Sequence, residues 1–417
     1  MTSQNALHVI VVGGGASGLI AAGFAAENGA RVTLIERNER PARKVMITGK
    51  GRCNLTNDCD LPELIAHVPQ NGRFLYSAFR AFSPRDMMAL VEAQGVPLKV
   101  ERGNRVFPVS DKAVDVVDAL TAFARDRGVR FVHDRVTELL MENNTCIGVR
   151  GESGDYPADA VIVCTGGKSY PATGSTGDGY ALAAQAGHTV VPPHGSLVPL
   201  VSDDAVCVQA QGLSLKNCAL TVTDTVTGKI IYTDFGEMLF THFGVSGPMI
   251  LSASAHMRER QADRYRLTID LKPALSPEEL NRRLTRDFQA YHNTDLQNAL
   301  PHLLPRSLIA PVLTRAHIPG STKCHSVTRE QRTALAAQVK GLTVSVRGTR
   351  PVEEAIVTSG GVSVKEIEPA TMRSKLCRNL YFAGEVLDVD AYTGGFNLQI
   401  AFSTGAAAGR HVTGPAD

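Results

Sequence analysis

The residues Gly13-Gly14-Gly15-Ala16-Ser17-Gly18 carry GxGxxG spacing between the apolar run His8–Val12 and the small-residue run Ala16–Asn28. That spacing suits a phosphate cradle. Gly13 permits a tight turn, Gly15 lets backbone approach a pyrophosphate, and Gly18 lets a helix pack closely on a strand. Amides at the helix start, those of Ala16 and Ser17 among them, then face an anion along the favourable direction of the helix dipole. Glu36 ends the next β-branched run, Arg31–Glu36, where a carboxylate can accept both hydroxyls of a ribose and repel a 2′-phosphate; Arg37 follows it.

The far end of the chain returns to the same chemistry. Leu380–Glu385 reads as a strand closed by Gly384 and Glu385, a carboxylate placed to hold a polyol, and the ribityl chain of FAD is such a polyol where NAD has none. Thr393-Gly394-Gly395-Phe396-Asn397-Leu398-Gln399 then opens a helix whose positive end would stabilise negative charge on the pyrimidine edge of a reduced flavin. Between these ends, the loop containing Arg43, Lys44, Gly49, Lys50, Gly51, Cys53 and Asn54 joins cations to small residues, as a loop threading along pyrophosphate and ribityl would. Thr165 and Gly166 follow a buried strand, and Asp178 stands at a helix start. Val136, just past a predicted strand, joins the cofactor-binding set. His242 is the one histidine inside a dense motif and is the candidate for proton transfer to a substrate. Cys53 has no CxxC companion, which argues against dithiol chemistry.

Several longer motifs fall in one pattern: Arg43-Lys44 with Thr48-Gly49-Lys50-Gly51-Arg52-Cys53-Asn54, Gly174–Gly179, Gly236–Gly244, Thr358-Ser359-Gly360-Gly361, and Phe382–Glu385 with Gly394–Asn397. On these motifs the chain resembles the BaiN-like, YhiN-type flavoproteins, a family that includes aminoacetone-oxidase-like proteins, over essentially its whole length and without departure in these segments. The resemblance implies FAD in a glutathione-reductase-type nucleotide domain that carries an inserted β-rich domain and a helical part. A broader likeness to fumarate-reductase flavoproteins implies FAD contacts at Arg43, Lys44, Gly49, Lys50, Gly51, Thr165, Gly166, Asp178, Glu385, Asn397 and Leu398.

The elements that must position these residues follow from periodicity. His8–Val12, Arg31–Glu36, Val129–His133, Ala160–Cys164 and Leu380–Ala383 read as strands, the apolar ones buried on both faces. Ala16–Asn28, Pro84–Gln94 with Ser83 as cap, Asp111–Arg127 and Phe396–Gly409 read as helices. Ala219–Thr225, Lys229–Thr233 and Arg266–Leu271 suggest antiparallel strands, and Ser276–Arg332 is more helical. The expected fold is α/β, with a Rossmann-like FAD-binding domain from residues 1–195 plus 346–417, a β-rich insertion at 196–275 and a helical part at 276–345.

With 417 residues, 43% hydrophobic and 20% charged, the chain is globular and long enough for two or three domains. Its formal net charge of +2 offers no general pull toward nucleic acid or an anionic membrane. The polar start Met1–Leu7 lacks the pattern of a signal peptide, no window has the length of a membrane span, and the eight cysteines are scattered without zinc spacing, so a cytoplasmic setting is expected. These readings converge on an FAD-dependent oxidoreductase that passes hydride between a small organic substrate and flavin N5. NAD(P)H docking transiently over the flavin is one donor, since no second GxGxxG follows. A flavin redox sensor without turnover and an amine oxidase using O2 stay open as alternatives. Metal sites and nucleic-acid partners are not expected, and spacing is silent on the oligomeric state.

Overall fold

A computed structural model describes residues 6–257, 259 and 261–414 of the chain; Met1–Asn5, most of the polar start, lie outside the described residues. Val9–Val12 and Ala160–Val163 are buried throughout, as central strands covered on both faces must be. In chain order the framework is β1 (His8–Val12), α1 (Ala16–Glu27), β2 (Arg31–Glu36), α2 (Ala113–Arg125), β3 (Arg130–His133), β4 (Ala160–Val163), α3 (Asp178–Gln185), β5 (Leu380–Phe382) and α4 (Phe396–His411). The strands form one parallel sheet in the order β5-β4-β1-β2-β3, with Val161 opposite Leu380 and Val9 opposite both Val32 and Ala160. The Rossmann-like α/β class read from the sequence is the class observed. The strand order reverses beside β1, the position where ligands of open α/β sheets bind outside the carboxyl ends.

The chain divides into two compact units, Met1–Ser196 with Val352–Asp417, and Leu197–Pro351. In the first, the ends of the chain meet because α1 lies against α4. The contact is close: a Cβ on Gly405 would stand 2.4 Å from the Ser17 carbonyl oxygen, and one on Gly409 would stand 2.3 Å from that of Ala21. On another side of α1, Gly23 admits the ring of Phe123 from α2, and Phe24 meets the same ring edge-on at 5.3 Å. The sequence reading missed an antiparallel sheet of Val136–Glu142, Thr145–Gly151 and Gly154–Pro157. Its signal was the turn Asn143-Asn144, both residues at positive φ, which is the chemistry of a tight hairpin. The helix expected from Asp111 begins instead at Ala113, because Asp111 adopts φ 56 and accepts from Arg52 and Lys99.

The second unit is a seven-stranded sheet built chiefly from Ser214–Asp224, Ile230–Thr241, Tyr265–Asp270 and Leu342–Val346. The strand expected at Lys229–Thr233 runs on through Thr241, so most of the Gly236–Gly244 motif lies in strand and hairpin. Helices Pro277–Ala290 and Arg329–Lys340 each begin with a capping box, at Ser276 and Thr328. Their Leu280, Leu284 and Leu335 share one core with Leu220, Leu267 and Val344 of the sheet. Among the described residues no helix is long and apolar enough to cross a membrane.

The α1–α4 contact makes a direct prediction. Gly405→Ala forces the two helices apart and lowers stability by about 1–3 kcal/mol. Thermal unfolding measures this, and a midpoint equal to that of the unchanged protein contradicts the contact.

Candidate functional site

Four strands of the parallel sheet end in residues singled out from the sequence: β1 in Gly13–Gly15, β2 in Glu36, β4 in Thr165 and Gly166, and β5 in Gly384 and Glu385. At β1 the chain turns through Gly13 at φ 98, and the Gly13 amide donates to the Ile35 carbonyl at 2.8 Å. A Cβ on Gly13 would stand 2.6 Å from the Cys164 carbonyl oxygen, and one on Gly18 would stand 1.9 Å from the Gly13 oxygen. Glycine is therefore required at both positions for α1 to sit against the turn. Gly15 differs: a Cβ there meets nothing within 4 Å, so the backbone borders open space. Among the described residues no side chain caps α1, whose first-turn amides at Ala16 and Ser17 are left to an anion.

Glu36 accepts three hydrogen bonds: Oε2 from the Gly14 amide at 2.7 Å, Oε1 from the Asn38 amide at 2.8 Å and from Asn38 Nδ2 at 2.7 Å. A carboxylate takes about four. One acceptor position on Oε2 is left, fewer than the pair that both ribose hydroxyls would use, because the chain folds back over the carboxylate at Asn38. Arg37 turns the other way, donating to Thr176 Oγ1 at 2.7 Å and to Asp178 Oδ2 at 3.3 Å. Asp178 also accepts from Arg135 Nε at 3.0 Å, Arg135 Nη2 at 3.2 Å and Thr176 Oγ1 at 2.9 Å. Burial pushes its carboxyl up, but Arg135, Thr176 and Arg37 outweigh this and hold it below the usual carboxylate range. Its oxygens are fully engaged, so Asp178 ties α3 to the end of β2. Val136 is buried at the start of the antiparallel sheet, next to this clamp.

Lys44 and Glu385, far apart in sequence, form an ion pair at 2.7 Å. Lys44 Nζ also donates to Ser169 Oγ at 2.6 Å. Glu385 Oε1 accepts in addition from the Thr358 amide at 2.8 Å and from Ser169 Oγ at 3.1 Å, which leaves Oε2 the less occupied oxygen. Arg43 donates instead to Asn38 Oδ1 at 3.1 Å. The loop through Gly49, Lys50, Gly51 and Cys53 takes positive φ at all four, 57, 60, 84 and 59°, and a non-glycine residue holds such a shape only where surrounding contacts impose it. Cys53 is buried, and burial pushes its thiol up to about 12 against a lowering contact from Thr48, so it offers no thiolate at neutral pH.

At β4, the buried Thr165 Oγ1 has no hydrogen-bond partner among the described residues, and Gly166 turns at φ 73. Across the site, α4 begins at Gly395, φ 100, also without a side-chain cap among the described residues. The Asn397 side chain braces the preceding loop, accepting from the Ala391 amide at 2.8 Å and donating to the Ala391 oxygen at 2.7 Å. Leu398 is half-buried beside it. His242 belongs to the other unit, on the exposed turn after strand Ile230–Thr241, with its ring edge-on to Phe243 at 5.0 Å.

Sequence reasoning passed over two buried carboxyls, Asp388 and Asp390, on the segment joining Glu385 to α4. Burial pushes both up; Asn71 and Gln70 act against it at Asp388, and Ser196, whose Oγ donates at 2.6 Å, acts against it at Asp390. The available signal was the Asp-x-Asp spacing directly after the Glu385 motif.

An uncapped helix N-terminus at a strand reversal, an open glycine beside it, carboxylates closing two further strands and an orphaned threonine hydroxyl together suit an extended dinucleotide. Comparison with known proteins agrees. The model of the HI0933-like protein Rossmann domain matches residues 7–411. The chain is 29% identical over 404 residues to a 3-dehydro-bile acid delta(4,6)-reductase of Clostridium scindens, covering 96% of this chain and 97% of that protein. It is 30% identical over 395 residues to a ribosomal RNA dihydrouridine synthase of Escherichia coli, covering 95% of each. In fold it is similar to a 3-ketosteroid delta1-dehydrogenase of Sterolibacterium denitrificans, with a TM-score of 0.50, 12% identity and coverage of 98% of this chain and 99% of that one.

Two measurements check the site chemistry. The Asp178 carboxyl is depressed in the folded state, so its contribution to stability is present above the unfolded value near ~3.9 and is lost as pH falls through the folded one. Asp178→Asn is thus less stable than the unchanged protein at pH 7, and the gap closes below about pH 3.9; a gap independent of pH contradicts the clamp. Iodoacetamide at neutral pH leaves Cys53 unmodified in the native protein and labels it after denaturation, as peptide mapping reads directly.

Proposed function

The chain belongs to the HI0933-like protein Rossmann-domain family, and from that premise we propose that it is an FAD-dependent reductase of carbon–carbon double bonds conjugated to a carbonyl. NAD(P)H is the transient electron donor in this reading. The observation that carries it is the row of strand ends at β1, β2, β4 and β5, with two uncapped helix starts beside them. The relatives support the chemistry. One is named for reducing delta(4,6) bonds of a 3-oxo bile acid, the other for making dihydrouridine, and in both the bond reduced is conjugated to a carbonyl.

FAD, when bound, supplies an atom that takes hydride from NAD(P)H and returns it to the carbon β to the substrate carbonyl. The residues do the rest. The first-turn amides of α1 hold the pyrophosphate, with Gly15 giving access and Gly13 and Gly18 setting the turn. Glu36 takes one ribose hydroxyl on Oε2. Glu385, fixed by Lys44 and Ser169, keeps its Oε2 for the ribityl chain, and Thr165 Oγ1 gains the partner it lacks. The N-terminus of α4 stabilises negative charge at the flavin pyrimidine edge. After hydride addition the substrate needs one proton at the carbon α to the carbonyl, and His242 is the donor assigned to it.

A small organic enone is the first reading. RNA is the second, favoured by one further observation: residues 276–345 hold nine Lys and Arg against five Asp and Glu, a local excess that the balanced total hides.

Purified protein retains FAD, is bleached anaerobically by NADH or NADPH, and is reoxidised by a conjugated enone with a gain of two hydrogens in the product. Uridine-containing RNA fragments in parallel decide the second reading. Glu36→Ala weakens FAD binding about 10-fold to 100-fold, and His242→Asn slows turnover about 100-fold or more with FAD content unchanged. A flavin that neither donor reduces, or that no conjugated acceptor reoxidises, overturns the proposal.

A further inference from the structure

Thr56–Asn57 is a two-residue strand paired with Arg105–Pro108, and its Asn57 is only 3% exposed. The orientation of the Asn57 amide is fixed by two donated bonds, from Nδ2 to the Gly103 oxygen at 2.9 Å and to the Gly394 oxygen at 3.1 Å. Its Oδ1 is buried and has no partner among the described residues. Folded proteins rarely leave a buried amide oxygen unmatched, because its lost hydration is not replaced. The same residue lines a cavity of about 260 Å3 together with His67, Arg105, Thr393, Gly394 and Phe396. The His67 ring stacks on Phe396 at 4.2 Å and 13°, giving the cavity a flat aromatic border. That volume falls just under the ~300–1,000 Å3 of pockets for whole ligands, so it suits one ring end of a larger molecule.

The surroundings define that ring. Asn57 Oδ1 is an acceptor, so the group it meets is an N–H or O–H donor. Gly394 lies two residues before α4, whose first-turn amides have no side-chain cap among the described residues and favour carbonyl oxygens carrying negative charge. An acceptor beside helix-start donors complements a planar imide edge, in which an N–H is flanked by carbonyls. We propose that Asn57 is the residue that reads an imide N–H in this cavity, with Oδ1 accepting the proton donor while the start of α4 faces a flanking carbonyl. Two rings present this edge, the pyrimidine end of the flavin and a uracil-type substrate. The inference rests on the flavin reading of the preceding section and assigns a residue that reading does not use.

The test removes the N–H from the ligand rather than the acceptor from the protein. Apoprotein is titrated with FAD and with N3-methyl-FAD by flavin fluorescence, and FAD-loaded protein is titrated with uridine and 3-methyluridine by equilibrium dialysis. One methylated probe binds about tenfold more weakly than its parent; the FAD pair identifies the flavin as the source, and the uridine pair identifies a substrate ring. Discrimination disappears in Asn57→Leu and survives in Asn57→Asp, which keeps an acceptor. Discrimination that persists in Asn57→Leu reflects the bulk of the methyl group and overturns the assignment. FAD binding without discrimination in either pair also overturns it while leaving the flavin reading intact. Failure of the apoprotein to bind FAD at all ends both.

Discussion

Along α1 and the turn before it, the carbonyl oxygens of Gly13, Ser17 and Ala21 stand where a neighbouring Cβ would collide, on Gly18, Gly405 and Gly409 in turn. These contacts hold α1 between the sheet and α4, and nearly every feature of the site depends on that placement. The helix must reach the turn after β1 without a side chain intervening, or its first amides would not border the open space at Gly15. It must also reach α4, or the second uncapped helix start would not be anchored to the same scaffold. Packing at this distance leaves no slack, because protein interiors are as dense as organic crystals. Small residues here serve geometry rather than flexibility.

The polar groups around that scaffold are only partly satisfied by one another. Glu36 and Glu385 each spend most of their acceptor capacity on the chain itself, which fixes their orientation and leaves a defined remainder. Asp178, in contrast, is saturated by Arg37, Arg135 and Thr176 and serves as a tie between elements. The same motif-level reading thus covers two kinds of carboxylate, those with capacity to spare and one with none. Preorganisation of this sort places the cost of orienting polar groups on folding and removes it from binding.

Where spacing reports local backbone geometry, the sequence was a good guide. Gly13, Gly15, Gly18 and Glu36 were readable because a strand, a turn and a helix start follow each other within one short stretch, and the Leu380–Glu385 and Thr393–Gln399 segments repeat that grammar. The motif resemblance was sound for the same reason, since the family match spans residues 7–411. Side-chain partnerships were hidden. Nothing near Lys44 announces Glu385, 341 residues away, and nothing near Asp178 announces Arg135. Nor does spacing reveal that the Asn397 amide is spent on its own loop, or that Asn57 keeps an unmatched oxygen. The hairpin at Asn143-Asn144 was legible and was missed; the bulged pairing of its strands blurs the alternation on which a strand reading relies.

The parallel sheet takes its edge strand β5 from residues 380–382, while its neighbour β4 lies at residues 160–163. During synthesis the ribosome therefore releases four of the five strands, and the whole of Leu197–Pro351, before the fifth strand exists. The intervening unit, contiguous in sequence, has its partners to hand as it emerges, whereas β4 waits with one edge unpaired. A nascent chain stalled before residue 380 carries Gly13–Gly18 and Glu36 but neither Glu385 nor α4. The nucleotide half thus matures last, although its first residues are the earliest made.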